Sequence, residues 1–596
     1  MKFLQTYLAS FLAVLTAFII GIPILLMVLA GALAAIGSSE EKVSVPSGTI
    51  LHLKLNQTLV ENESDDPLGL DLPGLLAGGS ATRPLGIYQL LASLDKAGKD
   101  DRIKGIYLEM PGFVNTGWAN LKSIREALLA FKASGKFIYA YSEVYSEPSY
   151  YLASAADSVF MPVTGMLELN GLAATPMFYT GLFEKLGIEP KVFKVGTFKS
   201  AVEPFLRKDM SPEAREQAAA YLGDIWDVFA TDVAASRGLS RTRMDELAST
   251  FILGNGKAAV AARLADRVVY EQDVLDRLAV ATGKDPGQTP SLMEVRKYAK
   301  APGTAPRATV NKVVVIFAEG GIQSGKSGSD VVGSKTVTEA LRRARQDKNV
   351  KAVVLRINSP GGSALASDMI MDEVRRTREI KPVIASMADV AASGGYYIAA
   401  MADKIFAQEN TITGSIGIFS ILFEVESLLG DKLGLNVDEV ETHPFANIAN
   451  PAFPMSPAEE AFFQQNVQQG YSTFISVVQA GRKFPDSVAV DKIAQGRVWS
   501  GRQAQQIGLV DEIGDLQDAI TYAAAQAGIA EDYRVEREPR AQGVLEEIMT
   551  QMNEKAARQT LDQWGLGAEA ETLRQIRRHI PASGTYMLMP YMPVVR

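Results

Sequence analysis

YYLASAADSVF at Tyr150–Phe160 and YYIAAMADKIF at Tyr396–Phe406 are one stretch written twice, 246 residues apart. Three more pairs stand in the same order at nearly the same distance. KGIYLEMPG, Lys104–Gly112, matches KAVVLRINSPGG, Lys351–Gly362, in pattern. MSPEAREQ from Met210 returns as MSPAEEAF from Met455, 245 residues on. GKAAVAARLADRV from Gly256 returns as GRQAQQIGLVDEI from Gly501, again 245 residues on. Four matches in order at nearly one displacement imply a tandem duplication of a unit of about 245 residues, longer than any solenoid repeat.

Each unit alternates short apolar runs with amphipathic stretches. In the second, Val313–Phe317, Ala352–Ile357 and Val383–Ser386 are β-rich runs and read as strands. Thr336–Arg345 and Ala364–Arg378 carry helical spacing between them. Strand, helix, strand predicts a layered α/β domain with a parallel sheet. The expected order is a short N-terminus (1–6), an apolar helix (7–36), a first repeat (45–299), a linker (300–310), a second repeat (311–540) and a helix and tail (541–596). KAPGTAP at Lys300–Pro306 marks the linker. Glu61–Gly86 reads as a loop, and the tail GTYMLMPYMPVVR carries no clear fold signal.

Length alone, 596 residues at about 150 per domain, suggests roughly four domains, a number the duplication revises. Hydrophobic content of 47% and charged content of 21% are globular values and exclude disorder, collagen or a coiled-coil rod. A net charge of −8 argues against general nucleic-acid binding. The absence of cysteine removes disulfides, thiolate metal sites, iron–sulfur clusters and cysteine nucleophiles, and suits an oxidising compartment. Only His52, His443 and His579 are present, far apart, so no histidine-built metal site is expected. An enzyme here must work with Ser, Lys, Asp, Glu, Tyr and backbone amides.

Tyr7–Ile36 runs thirty residues without a charge. About 20 apolar residues span a bilayer as a helix, and membrane helices tolerate a kink such as Pro23 would give. The rival is a cleaved signal peptide with Ala32-Leu33-Ala34 at the cut, but secretory apolar regions run only about 7–15 residues. An uncleaved anchor is therefore expected. Lys2 precedes it, and Glu40, Glu41 and Lys42 follow, which by the positive-inside rule puts the N-terminus in the cytoplasm and the bulk outside.

Two segments of the second unit carry candidate chemistry. Asn358-Ser359-Pro360-Gly361-Gly362 follows a strand, where Gly-Gly lets backbone N–H groups approach an anion or oxyanion. The plainer reading is a tight strand–helix turn. Ala391-Ala392-Ser393-Gly394-Gly395-Tyr396-Tyr397 follows a strand and opens a helix, a logic similar to a nucleophile elbow, with the Gly394 N–H free for an oxyanion. Here the plainer reading is an N-cap serine. The duplication separates them: Ser393 falls on Glu147 in the first copy, and Gly394 and Gly395 on Pro148 and Ser149. The earlier Gly-Gly shrinks to Pro111-Gly112. The framework persists in both copies, but Ser-Gly-Gly stands only in the second.

A serine nucleophile needs a base. His443 has no obvious Asp to orient it. Lys199, in Val195–Phe205, falls on Pro444 at displacement 245, so the lysine is in the first copy and missing from the second. That mirrors the serine, and the simplest inference is one Ser-Lys site divided between the copies. An ordinary lysine has a pKa near 10.4 and is no base at neutral pH. Burial away from acids lowers it by up to about 3–5 pH units, each costing about 1.36 kcal/mol.

At these residues the sequence resembles the signal peptide peptidase A, or protease IV, family in its long bacterial form. TFKSAVEPF, INSPGGS, ASGGYYIA and TITGSIGIF occur in that family's order, and the match runs from the anchor to about residue 540. The resemblance implies two ClpP/crotonase-like domains and a Ser-Lys serine endopeptidase without cofactor. It makes Ser393 the nucleophile and Lys199 the general base. Gly362 and Gly394 become the oxyanion donors, and Ser415 orients the lysine. It further implies a homotetramer in the bacterial inner membrane, facing the periplasm, that degrades signal peptides and other unfolded hydrophobic peptides. The rivals are a crotonase-like acyl-CoA enzyme and a non-catalytic membrane scaffold.

Overall fold

The run Val313–Phe317 lies inside a longer strand, Lys312–Glu319, which is paired on both sides, one strand in from the edge of a sheet. Val313, Val315 and Phe317 enter one apolar cluster, and Val314, Ile316 and Ala318 enter another. The period of two thus buries both faces, as a parallel strand covered by helices requires. Each such Val or Ile contributes about 1.5–3 kcal/mol by leaving water.

The computed structural model describes residues 43–63, 84–110, 112–250, 255–302, 309–328, 330–539 and 584–588. The expected anchor at 7–36, His579, the helix expected after 541, Pro111 and residues 303–308 of the linker lie outside them. Among the described residues no helix is long and apolar enough to cross a membrane.

In the eight-stranded sheet of the second copy, one path runs Arg534–Glu538, Lys312–Glu319, Val350–Ser359, Val383–Ala392, Lys404–Ala407, Glu512–Ile513 through parallel pairs, while Ile412–Gly414 pairs parallel with the end of Val383–Ala392 and carries Val498–Ser500 antiparallel beyond it. The first copy runs Leu292–Glu294, Thr49–Lys54, Ile103–Glu109, Phe137–Tyr141, Ser158–Met161, Arg267–Val268, again all parallel. The two orders correspond strand for strand, so the duplication exists in the backbone as well as the sequence. The shared Met-Ser-Pro motif explains itself in the same terms. Ser211 and Ser456 cap helices Pro212–Arg237 and Pro457–Arg482, each of 26 residues, with proline in the first turn.

Two features were not legible beforehand. Val383–Ala392 runs six residues past Ser386 and delivers the chain directly to Ser393. A further sheet crosses between the copies, in the order Val331–Gly333, Gly321–Gln323, Gly361–Ser363, Gly584–Leu588, Ile418–Glu424, Glu189–Val195. Glu189–Val195 pairs antiparallel with Ile418–Glu424, Val195 opposite Ile418. This pairing sets the chain just after Val195 beside the chain just before Ile418. Within the segment read as the loop Glu61–Gly86, Leu85–Gly86 pairs with Leu59–Val60.

Candidate active site

Ser393 sits where the extended Val383–Ala392 strand turns into helix Gly394–Ala399, at φ 55° and ψ −114°. A non-glycine residue in that region is strained by about 1–3 kcal/mol and persists only where its surroundings hold it. Its own N–H donates to Gly414 O at 2.8 Å. The side chain makes no cap hydrogen bond to the helix it opens, so the N-cap reading does not describe what the hydroxyl does. Its Oγ lies 2.9 Å from Lys199 Nζ.

Lys199 and Ser393 are both fully buried, at 0% exposure. Lys199 follows Glu189–Val195, and Ser415 stands three residues before Ile418, so the cross-copy pairing brings the two together. Lys199 Nζ lies 3.0 Å from Ser415 Oγ and 3.1 Å from Ser415 O. Burial drives the Lys199 pKa well below the ordinary lysine value, and no charged neighbour offsets it. The lysine stem passes between two glycines. A Cβ on Gly496 would stand 2.7 Å from Lys199 Cα, and one on Gly417 3.1 Å from Lys199 Cδ.

The Asn358–Gly362 loop closes over the same point. Gly361 and Gly362 have φ of 101° and 154°. A Cβ on Gly361 would stand 2.7 Å from Gly394 N, and one on Gly395 2.5 Å from Ser359 O. Only glycine permits this approach. Gly361 therefore lies directly against the Gly394 amide beside Ser393, with Gly362 next along the chain. His443 is elsewhere, in an exposed segment with its ring against Thr442 Oγ1. His52 stacks on Tyr107 and meets Glu109. Among the described residues no group of three or more His, Asp or Glu could hold a metal ion.

The Peptidase family S49 model matches this chain twice, over residues 130–284 and 375–530. Protease 4 of Haemophilus influenzae is 34% identical over 556 residues, 90% of each chain. The chain belongs to peptidase family S49. Protease 4 of Salmonella typhi is 35% identical, over 84% of this chain and 82% of its own. The chloroplastic serine protease SPPA of Arabidopsis thaliana is 34% identical, over 75% of this chain and 66% of its own. As an S49 member it is a serine peptidase with an α/β fold in two copies.

The first copy shows what stands in place of Ser393 in the shared framework. Glu147, at the Ser393 position, is buried and accepts the Asn170 and Gly171 N–H groups at 2.8 and 2.7 Å. Desolvation pushes its pKa up to about 7 despite those two bonds. One residue beside the lysine escaped the sequence reading. Gln217, buried on helix Pro212–Arg237, donates to Phe198 O at 3.1 Å and Ser200 Oγ at 2.7 Å, the two neighbours of Lys199. Its carbonyl accepts Val498 N–H from the other copy at 3.1 Å. The available signal was again complementarity, because Gln217 ends MSPEAREQ and its counterpart is the exposed Phe462.

Proposed function

We propose that this S49 peptidase cuts peptides with Ser393 as nucleophile and Lys199 as general base. The observation that carries the reading is the 2.9 Å contact between Ser393 Oγ and a fully buried Lys199 Nζ with no acid to keep it charged. A neutral amine has two N–H donors and one lone pair. Ser415 O and Ser415 Oγ take the donors, which leaves the lone pair for the Ser393 hydroxyl proton. The amides of Gly362 and Gly394 receive the oxyanion of the tetrahedral intermediate. Lys199 then passes its proton to the leaving amine, and water releases the acyl-enzyme.

The substrates in this reading are cleaved signal peptides and other unfolded hydrophobic peptides. Support comes from the apolar Tyr7–Ile36 segment, which would hold the enzyme in the bacterial inner membrane with its catalytic copies in the periplasm, and from the family resemblance. The same resemblance supports ClpP/crotonase-like domains spanning 45–299 and 311–540, and a homotetramer. The test uses detergent-purified full chain and a fluorophosphonate probe. Ser393 is labelled in the wild type and no label appears on Ser393→Ala. A synthetic signal peptide is then hydrolysed at least about tenfold faster than a polar peptide of equal length. Labelling at another serine would sink the nucleophile assignment, and equal rates would sink the substrate class.

Gln217 belongs to the same reading as the clamp on the lysine loop. Gln217→Ala removes bonds to both neighbours of Lys199 and leaves the Val498 N–H unpaired. The expected result is a kcat about tenfold lower, about 1.4 kcal/mol, measured at saturating peptide.

A further inference from the structure

Lys199 comes from one copy and is received by the other. What receives it is the turn Ala494-Gln495-Gly496-Arg497-Val498, in the serine's copy. Gln495 and Gly496 are both left-handed, at φ 54° and 76°. The approach dictates the glycine, since a Cβ on it would stand 2.7 Å from each of Lys199 N, Cα and Cβ. Gln495 O accepts the Phe198 N–H at 2.8 Å, and the Gly496 N–H donates to Ile416 O at 2.8 Å. Arg497 O accepts the Ser415 N–H at 2.7 Å. One turn thus holds the residue before Lys199 on one side, and Ser415 with its neighbour on the other. The charged side chain of Arg497 lies over the Phe198 and Trp499 rings and pairs with Glu216 at 3.0 Å.

Gln495 has a side chain, so its left-handed backbone is strained and persists only where its surroundings hold it. The hold is a network outside the reacting atoms. Tyr471, buried on helix Pro457–Arg482, donates its O–H to Asp491 Oδ1 at 2.5 Å and accepts the Gln495 N–H at 3.2 Å. Gln495 Nε2 donates to the same Asp491 oxygen at 2.6 Å. Asp491 stands in the short helix Ser487–Ile493, four residues before Gln495. The N–H and the side chain of Gln495 are both committed, which leaves its carbonyl turned to the Phe198 N–H. The duplication points the same way. At displacement 245, Tyr471, Asp491, Gln495 and Gly496 fall on Trp226, Glu246, Thr250 and Phe251. The helix that carries Tyr471 has its counterpart, Pro212–Arg237. The phenol and the Gln-Gly pair do not, and Glu147 stands in that copy in place of Ser393.

We propose that Tyr471, Asp491 and Gln495 are positioning residues for the base: they fix the Gln495-Gly496 turn as a socket that keeps the Lys199 amine on Ser393 and closed to water. The inference rests on the Ser393–Lys199 reading above. The three act through the Phe198 N–H and the Gly496 backbone. With the network broken, the turn relaxes, water reaches the amine, and the charged lysine is favoured. A smaller share of molecules then carries the neutral base at any pH on the acid side.

The test measures kcat and KM for a hydrophobic peptide against pH, in full-length protein purified in detergent, with fluorophosphonate labelling of Ser393 beside it. Tyr471→Phe keeps the ring and loses the bridge. On the acid side its kcat should be about tenfold below wild type with KM unchanged, and the acid limb of kcat/KM should move up by about one pH unit, because one unit of pKa is tenfold in neutral amine. The gap should close at alkaline pH. Asp491→Ala should behave alike. Asp491→Asn, whose carbonyl oxygen can accept from both Tyr471 and Gln495, should recover most of the loss. A deficit equal at every pH would make the network ordinary packing and overturn the inference. So would a Tyr471→Phe profile that superimposes on wild type, or Asp491→Asn no better than Asp491→Ala. If Tyr471→Phe does not fold, the two Asp491 variants decide. Each of these outcomes, with Ser393 labelled in wild type, overturns this inference alone. Wild type unlabelled at Ser393, or a fully active Lys199→Met, overturns the Ser393–Lys199 reading and this inference with it.

Discussion

Lys199→Met is expected to lower kcat on a hydrophobic peptide by about 10⁴-fold, about 5.5 kcal/mol, in a protein that still folds. Met keeps the length and flexibility of the stem that threads between Gly417 and Gly496, and it removes the amine that takes the Ser393 proton in the proposed mechanism. Its effect on stability separates catalysis from packing. Burial holds the Lys199 pKa well below the ordinary value. Between that lowered value and the ordinary lysine range the unfolded chain binds a proton that the folded chain does not. Stability therefore rises with pH across this window. Below the window the folded state bears the full cost of a buried charge. Lys199→Met removes that cost, so the variant should equal or exceed wild type at neutral pH. The wild type should gain on it as the pH approaches 10, followed by urea unfolding of both proteins. If Lys199 is the base, the same titration should set the acid limb of wild-type kcat/KM, because only the neutral amine accepts the proton. A variant retaining a tenth of wild-type kcat would remove Lys199 from the role of base.

Half of this arrangement was legible because evolution wrote the unit twice. Ser393 and Lys199 each stand in a copy whose partner lacks them, and that paired absence singled out two ordinary residue types among many. Strand and helix runs such as Val350–Ser359 and Ala364–Arg378 were legible because burial on both faces, or on one stripe, leaves a periodic trace. The contacts between copies leave no such trace. Nothing local in Glu189–Val195 announces Ile418–Glu424 as its partner, and nothing in GTYML announces a slot two strands wide. Arg356 shows the same limit. It interrupts the apolar run of its strand, and the sequence around it gives no hint that its partner is Glu61, 295 residues earlier.

Arg356→Met is expected to destabilise the protein by about 3–5 kcal/mol, because it strands buried acids rather than merely removing a contact. Arg356 and Glu61 are each 2% exposed and meet at 2.8 Å across the two copies. The guanidinium also donates to Ser386 Oγ, Met387 O and Asn120 Oδ1. Asn120 in turn donates to Glu61 and Asp389, and the Glu61 N–H reaches the Glu319 carboxylate. Desolvation, followed by the Glu61 charge, pushes Asp389 up to about 6 and Glu319 up to about 8. A raised carboxyl is protonated in the folded state before the unfolded one, so its contribution is present at low pH and lost as pH climbs to the raised value. Without Arg356 the negative charges at this junction lose their cation, and the penalty should be smaller at pH 5 than at pH 8. Urea unfolding of wild type and Arg356→Met at both values reads this directly. A loss under about 1 kcal/mol, or one equal at the two pH values, would show that the acids are solvated or already neutral. The damage should also reach the chemistry. Asn358 donates to Glu61 at 3.1 Å and accepts the Val390 N–H at 3.2 Å, which holds the start of the Gly361-Gly362 loop against the strand leading to Ser393. The folded fraction of the variant should therefore lose kcat as well, because the junction of the copies and the oxyanion loop are one hydrogen-bonded structure.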